Sequence, residues 1–264
     1  AFQRNQTSAF ASGAGIGSLA GLIGLGGAEF RLPFLIGPYR FGALEAVIIN
    51  KAMSLVVVMS ALPFRTTSVS MATVAASWPV IANLLGGSLL GAWVGAEWAT
   101  RLRSNTLYRI IAVLLVAMAV VLLVGHGVES NGRPLFAGPA QIVAGLVAGF
   151  VIGVVASLLG VAGGELLIPT LILLFGVDVK LAGSLSLAIS LPTMLVGFGR
   201  YSRDATFAVL SRNSRFVAAM AVGSVAGAFI GAQLLGVVPG EVLLPLLALV
   251  LLLSSVKLWL HRRT

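Results

Sequence analysis

Cysteine is absent from this sequence. Its absence excludes disulfides, thiol nucleophiles and Cys-ligated metals. Histidine is almost absent: His126 and His261 are the only two. They stand far apart, near segment ends, so no histidine cluster exists. Charge is scarce as well. Asp, Glu, Lys and Arg make up 9% of the 264 residues, against roughly a quarter in an ordinary soluble domain. That scarcity excludes a soluble globular enzyme, a disordered chain and a nucleic-acid-binding domain. What fills the chain instead is apolar: 58% of residues are hydrophobic and the mean hydropathy is +1.06. The composition is that of a polytopic membrane protein with most of its length in lipid. The formal charge of +9 would suggest a polyanion partner in a soluble protein. Here the basic residues sit between apolar runs, where membrane topology is the simpler reason for them.

The apolar segments run over 8–38, 43–62, 71–97, 107–125, 138–176, 180–198, 214–236 and 241–260. A spanning helix needs about 20 apolar residues, and all but the first and fifth segments fit that length. The opening stretch AFQRNQTSAF does not read as a signal peptide, because the basic, apolar and cleavage regions do not follow in order. The lack of an initiating Met reads as a trimmed start.

The sequence repeats itself. A shift of 136 positions lays Gly24-Leu-Gly-Gly-Ala-Glu29 and Pro33 on Gly160-Val-Ala-Gly-Gly-Glu165 and Pro169. The same shift, without gaps, lays Gly13 and Gly17 on Gly149 and Gly153, and Ala46, Ser54 and Leu55 on Ala182, Ser190 and Leu191. It also lays Gly87, Ser88, Gly91 and Gly95 on Gly223, Ser224, Gly227 and Gly231. Chance matching of small apolar residues does not account for the matched Glu and Pro. The chain therefore divides into an N-terminal repeat, 1–134, and a C-terminal repeat, 135–264, joined by the polar stretch His126–Pro139.

The first segment of each repeat is too long for one crossing. Pro139 to Phe175 is an almost unbroken apolar run of 37 residues. One straight helix of that length would be roughly 55 Å long, against a hydrocarbon core of about 30 Å. In its middle lies Gly160-Val-Ala-Gly-Gly-Glu165, and glycine permits a sharp turn. Pro169 follows near a helix start. The expectation is two part-length helices joined by a Gly-rich break, irregular backbone that membranes tolerate only beside protein or a wet cavity.

Whether the chain crosses or folds back at the break decides which side each basic loop faces. If both first segments cross, the loops divide ten Lys and Arg against five; if both fold back, they divide twelve against three. Positive charge collects on the cytoplasmic side, which favours the re-entrant arrangement. Each repeat then crosses three times, so the repeats are inverted and both termini are cytoplasmic. The expected fold is all-α and polytopic, each half a broken first segment followed by three transmembrane helices, an arrangement known in transporters.

The paired motifs Gly24–Pro33 (GLGGAEFRLP) and Gly160–Pro169 (GVAGGELLIP), each opening one half, resemble those of the sulfite exporter TauE/SafE family of membrane anion transporters (TSUP). The stretch Gly163–Tyr201 is the closest match, and the resemblance covers nearly the whole chain. It implies export or uptake of sulfite, sulfonates or related small organic acids. The first copy departs from the pattern at Arg31 and Lys51, which bears on the substrate more than on the fold.

Several residues are candidates for that task. Glu29 and Glu165 stand in the first turn of a half-helix in apolar surroundings, where a carboxylate must face a cavity or a partner. Each is a proton or cation carrier, or else a cap for the amides at its break. The amides of Gly26, Gly27, Ala28, Ala162, Gly163 and Gly164 could bind an anion at the half-helix N-termini, or simply form close-packing turns. Asn50 and Ser54 share a helix face, as do their images Ser186 and Ser190, with Pro192 and Thr193 beyond them. They line a midplane site or serve as interhelical hydrogen-bonding groups. Lys51 has Leu187 as its image; it neutralises an anion, snorkels to an interface or pairs with Glu45 or Glu97. The glycines repeating every fourth position from Gly87 and from Gly223 read as packing surfaces, and Trp78, Trp98 and Trp259 as interfacial anchors.

No metalloprotease, serine-hydrolase or phosphate-loop spacing appears, so catalysis has no visible constellation and no cofactor is expected. The leading expectation is a secondary transporter of a small anion in the plasma (inner) membrane, working by alternating access between the repeats. Its partners are the anion, the bilayer and a coupling ion such as the proton; nucleic acid is not among them. A passive anion channel and an intramembrane enzyme are the alternatives.

Overall fold

The structure, a computed structural model, describes residues 5–23, 27–65, 71–125 and 134–233 and the single positions 249, 252, 255 and 256. The eighth apolar segment and Gly26 therefore lie almost wholly, or wholly, outside the described residues. Within them the chain is helical. Ahead of the polar stretch 126–139 lie α1 (Gln6–Ile23), α2 (Ala28–Ile36), α3 (Ala43–Arg65), α4 (Met71–Ala76), α5 (Trp78–Arg101) and α6 (Ser104–Gly125). From Pro139 onward lie α7 (Pro139–Leu159), α8 (Gly164–Phe175), α9 (Val179–Tyr201), a 3-10 turn (Ala205–Ala208), α10 (Val209–Arg212) and α11 (Ser214–Gln233). The 136-residue offset carries the first residues of α2, α3 and α5 onto those of α8, α9 and α11. Among the described residues five helices, within α3, α5, α7, α9 and α11, are long and apolar enough to cross a membrane.

The glycine breaks are where the sequence places them. Gly27 and Gly163 precede α2 and α8 with φ of 62° and 83°, a left-handed conformation that a Cβ would strain. At both breaks the chain folds back. Tyr39, just past α2, donates its hydroxyl to the Ser8 carbonyl at 2.8 Å and lies 2.8 Å from Ser12 Oγ, near the start of α1. Leu135 N donates to Leu173 O at 3.0 Å, and Gln141 Nε2 to Leu174 O at 2.8 Å, which sets the end of α8 beside the start of α7.

Two expectations need correction. The run 138–176 does divide at its glycine break, but not into two part-length helices. Its α7 has 21 residues, about 32 Å, enough to cross by itself, whereas the 12 residues of α8 reach only about 18 Å. The run simply begins at Pro139, a full helix length ahead of the break. The third apolar segment is also divided, at Ser77. Pro79 lies in the first turn of α5, where its missing N–H costs nothing; inside a continuous helix it would break the ladder.

Helices distant in sequence interlock along glycine seams. A Cβ on Gly87 or Gly91 of α5 would strike the backbone of Leu146 or Phe150 on α7. At the offset positions, Gly223 and Gly227 of α11 meet the backbone of Phe10 and Ala14 on α1. The helices of each pair run parallel, because later positions on one meet later positions on the other. α5 and α9 also run parallel: Ser88 Oγ lies 2.7 Å from Thr193 Oγ1, and nearer their C-termini Glu97 pairs with Arg200. At the centre is α3, with Val47, Ile48, Ile49 and Met53 wholly buried and with α2, α7, α9 and α11 against it.

Candidate buried anion and proton site

The polar face of α3 is turned onto the glycine break of the other repeat. The α7–α8 turn comes so close that a Cβ on Gly160 would collide with the Val47 carbonyl. The helical ladder runs out at the end of α7, and α3 supplies donors to carbonyls at and just past that end. Asn50 Nδ2 reaches Leu159 O at 3.0 Å, Lys51 Nζ reaches Ala156 O at 3.2 Å and Val161 O at 3.3 Å, and Ser54 Oγ reaches Gly160 O at 3.2 Å. Ammonium at a helix C-terminus also complements the helix dipole. Lys51 therefore pairs with neither Glu45 nor Glu97. It is held on main-chain carbonyls, with two of its three donors engaged.

The same face holds the first break. Asn50 Nδ2 donates to Ala28 O at 2.9 Å, while its Oδ1 accepts from Arg31 Nε at 3.2 Å. Arg31 Nη2 donates to Ser54 Oγ at 3.0 Å. Arg31 does not need Glu29 beside it on the helix to be anchored, because α3 provides the anchor. Its Nη1 is buried without a hydrogen-bond partner among the described residues, although a guanidinium has donors to spare.

Glu29 and Glu165, distant in sequence, stand near enough for their charges to act on each other, and the Arg31 charge acts on Glu29 as well. No protein donor of good geometry reaches either oxygen of Glu29 or Oε2 of Glu165. The N-cap positions of α2 and α8 are Gly27 and Gly163, which have no side chain to cap the helix. The cluster is sealed: Glu29, Arg31, Asn50, Lys51 and Ser54 are each at most 2% exposed, and Glu165 is 7% exposed.

The positions 136 residues beyond Asn50 and Ser54 contribute less than the sequence match would suggest. Ser190 Oγ turns to Ser186 O at 2.6 Å and Ser186 Oγ to Gly183 O at 2.9 Å, along their own helix. Only Ser186 approaches a break, with its Oγ 4.0 Å from where a Cβ on Gly164 would stand. Thr193 is bonded to Ser88 of α5 and lies in a separate contact. Sequence reasoning did not foresee Tyr201, whose buried hydroxyl donates to Ser157 O at 2.9 Å, nor Ser157, which donates to Ala92 O at 3.0 Å. A hydroxyl inside an apolar run and a phenol just past the end of another were the only visible signals for them. At the ends of α5 and α9, Glu97 takes both Arg101 and Arg200, and Arg203 lies over the Trp93 ring, 5.1 Å from its centre.

A motif pair that opens two halves, folds back twice and brings two carboxyls together is a strong basis for comparison. The sulfite exporter TauE/SafE family matches residues 9–258. The chain belongs to that family. No curated protein and no solved structure matches it significantly. A TauE/SafE protein is an integral membrane transporter of sulfite or related anions; the family is one of transporters, not of enzymes.

Proposed function

We propose that this TauE/SafE chain is a secondary transporter that binds one small oxyanion, a sulfite, sulfonate or short organic acid, at the buried cluster and exposes it to each side in turn. The observation that carries this reading is the unpartnered Arg31 Nη1 in a buried cluster where both Glu29 oxygens and Glu165 Oε2 also lack partners. A buried donor left unmade is costly, and an anion would satisfy it. The uncapped N-termini of α2 and α8, with the amides of Gly27, Ala28, Gly163 and Gly164, offer further N–H groups of the right sign. A site closed to both sides is the middle state of an alternating-access cycle.

The topology we propose is re-entrant, with inverted repeats, inner-membrane location and both termini cytoplasmic. Three features support it. Both first segments return to where they start. Parallel α5 and α9 suit the fold-back arrangement, whereas full crossings would make them antiparallel. Glu97 holds Arg101 and Arg200 together, which the crossing arrangement would place on opposite faces.

Proteoliposomes loaded with unlabelled sulfite should accumulate external labelled sulfite transiently by counterflow, the signature of a carrier. Thiosulfate, sulfonates and short carboxylates inside the vesicles would rank the substrates by the overshoot they drive. Flux without an overshoot for any of these anions would make the protein a channel, and no flux above empty vesicles would remove the anion reading.

A further inference from the structure

A guanidinium offers an oxyanion two edges, and α3 occupies only one edge of Arg31. Nε–H and the nearer Nη2–H form the side edge; the second Nη2–H and an Nη1–H form the end edge. Asn50 Oδ1 accepts from Nε at 3.2 Å and Ser54 Oγ accepts from Nη2 at 3.0 Å, so the polar face of α3 fills the side edge. The end edge is left over. Its Nη1 has no partner among the described residues, although Arg31 is wholly buried. Glu29, on the same helix, does not fill the place, since neither of its oxygens has a hydrogen-bond partner.

The two α3 side chains that hold Arg31 have no donor left for an anion. Asn50 Nδ2 donates to Ala28 O at 2.9 Å and to Leu159 O at 3.0 Å, which leaves only Oδ1 to face Arg31. Ser54 gives its one proton to Gly160 O at 3.2 Å while accepting from Arg31. Both side chains therefore act on the guanidinium, and through it they fix a plane between the α7–α8 break and α2. Lys51, the other cation of that face, is turned to Ala156 O and Val161 O. Reading the anion falls to the end edge of Arg31.

We propose that Arg31 is the specificity-determining residue of the anion site, that its end edge grips two oxygens carried on one atom, and that Asn50 and Ser54 are its positioning residues. The assignment rests on the anion-transport reading and narrows it. Two parallel N–H bonds from a planar fork match carboxylate, sulfite and sulfonate groups, whose oxygens are paired on a single carbon or sulfur. A halide presents one point, so it can use the charge but not the fork. A lysine ammonium in the same place would supply the charge without the edge. Because α3 fixes the plane in advance, binding does not have to order the arginine, which leaves more of the hydrogen-bond energy for affinity. Selection at this site is by the shape of the anion and not by its charge alone.

The test is calorimetric binding to the full chain in lipid nanodiscs at a single pH. Methanesulfonate and sulfite are the two-oxygen probes, and bromide is the single-point probe. Wild type should bind the better of the first two at least about tenfold more tightly than bromide, the worth of one further charge-assisted hydrogen bond. Arg31→Lys keeps the charge and removes the fork, so that preference should fall by about tenfold. Ser54→Ala keeps the arginine but loosens its plane. There the preference should fall several-fold while bromide binding persists, a pattern that loss of folding would not produce, and this variant decides if Arg31→Lys does not fold. Equal wild-type affinity for both kinds of probe, or a preference that survives in the variants, overturns recognition by the fork and leaves the transporter reading intact. If wild type binds neither methanesulfonate nor sulfite, the transporter reading fails first, and the fork with it.

Discussion

A guanidinium inside an apolar helix needs a reason, and Arg31 has two. Asn50 and Ser54 fix its plane, and Nη1 is left over. Replacing Arg31 with Gln removes that donor and the charge while keeping a polar group for α3. Hydrogen bonds to charged groups contribute about 1.5–3 kcal/mol each, so sulfite affinity should fall on the order of 10- to 100-fold. Calorimetry of the variant in nanodiscs reads this directly, and an unchanged affinity would take Arg31 out of the site. At this scale legibility was uneven. Glu29 and Glu165 stood out because carboxylates are rare in apolar runs. Arg31 and Lys51 were visible only as departures from the repeat. The acceptors of Lys51 are main-chain carbonyls over 100 positions away, and a carbonyl exposed by a helix end leaves no mark in the residue types. Ser186 and Ser190 matched Asn50 and Ser54 in register, yet their hydroxyls found carbonyls on their own helix, a choice that periodicity does not encode.

Helices approach closely along the seams because the glycines there have no Cβ, and the spacing alone announced this. The α1–α11 contact offers a test within one helix. A side chain on Gly17 would enter the backbone of Ser224, whereas one on Gly15 would meet nothing within 4 Å. Overpacking typically costs about 1–3 kcal/mol. Gly17→Leu should therefore lower the thermal midpoint of the purified protein by roughly 3–10 °C, while Gly15→Leu should leave it within scatter. Equal losses in both would mean that α1 does not pack through this face. Element ends were harder to read than element faces. The breaks at Gly27 and Gly163 were legible because glycine is the cheapest residue at positive φ. The length of α7 was not, since an apolar run of 37 residues divides at its break and the break need not be central. Likewise Ser77 and Pro79 looked like part of one long segment until the helix start at Trp78 separated them.

Across the whole molecule, the offset of 136 residues was readable by inspection, because Glu and Pro are uncommon enough in such a chain to mark a register. What the register does not reveal is direction, since a duplicated half can insert either way. Loop charge gave a preference, and the side-by-side ends of α5 and α9 strengthen it. The chain has no cysteine of its own, so single cysteines report on a silent background. Arg103, Phe136, Lys180 and Ser211 are exposed and sit in or beside different connections between the long helices. With re-entrant first segments, Arg103→Cys and Ser211→Cys should react with an impermeant maleimide only from the cytoplasmic side. Phe136→Cys and Lys180→Cys should react only from the other. If both first segments cross instead, Arg103→Cys moves to the side opposite Ser211→Cys, and Phe136→Cys separates from Lys180→Cys. That result would also leave Glu97 joining two arginines across the bilayer, a contact no membrane-inserted chain could make, so labelling tests the inverted repeat and the packing of α5 on α9 in one measurement.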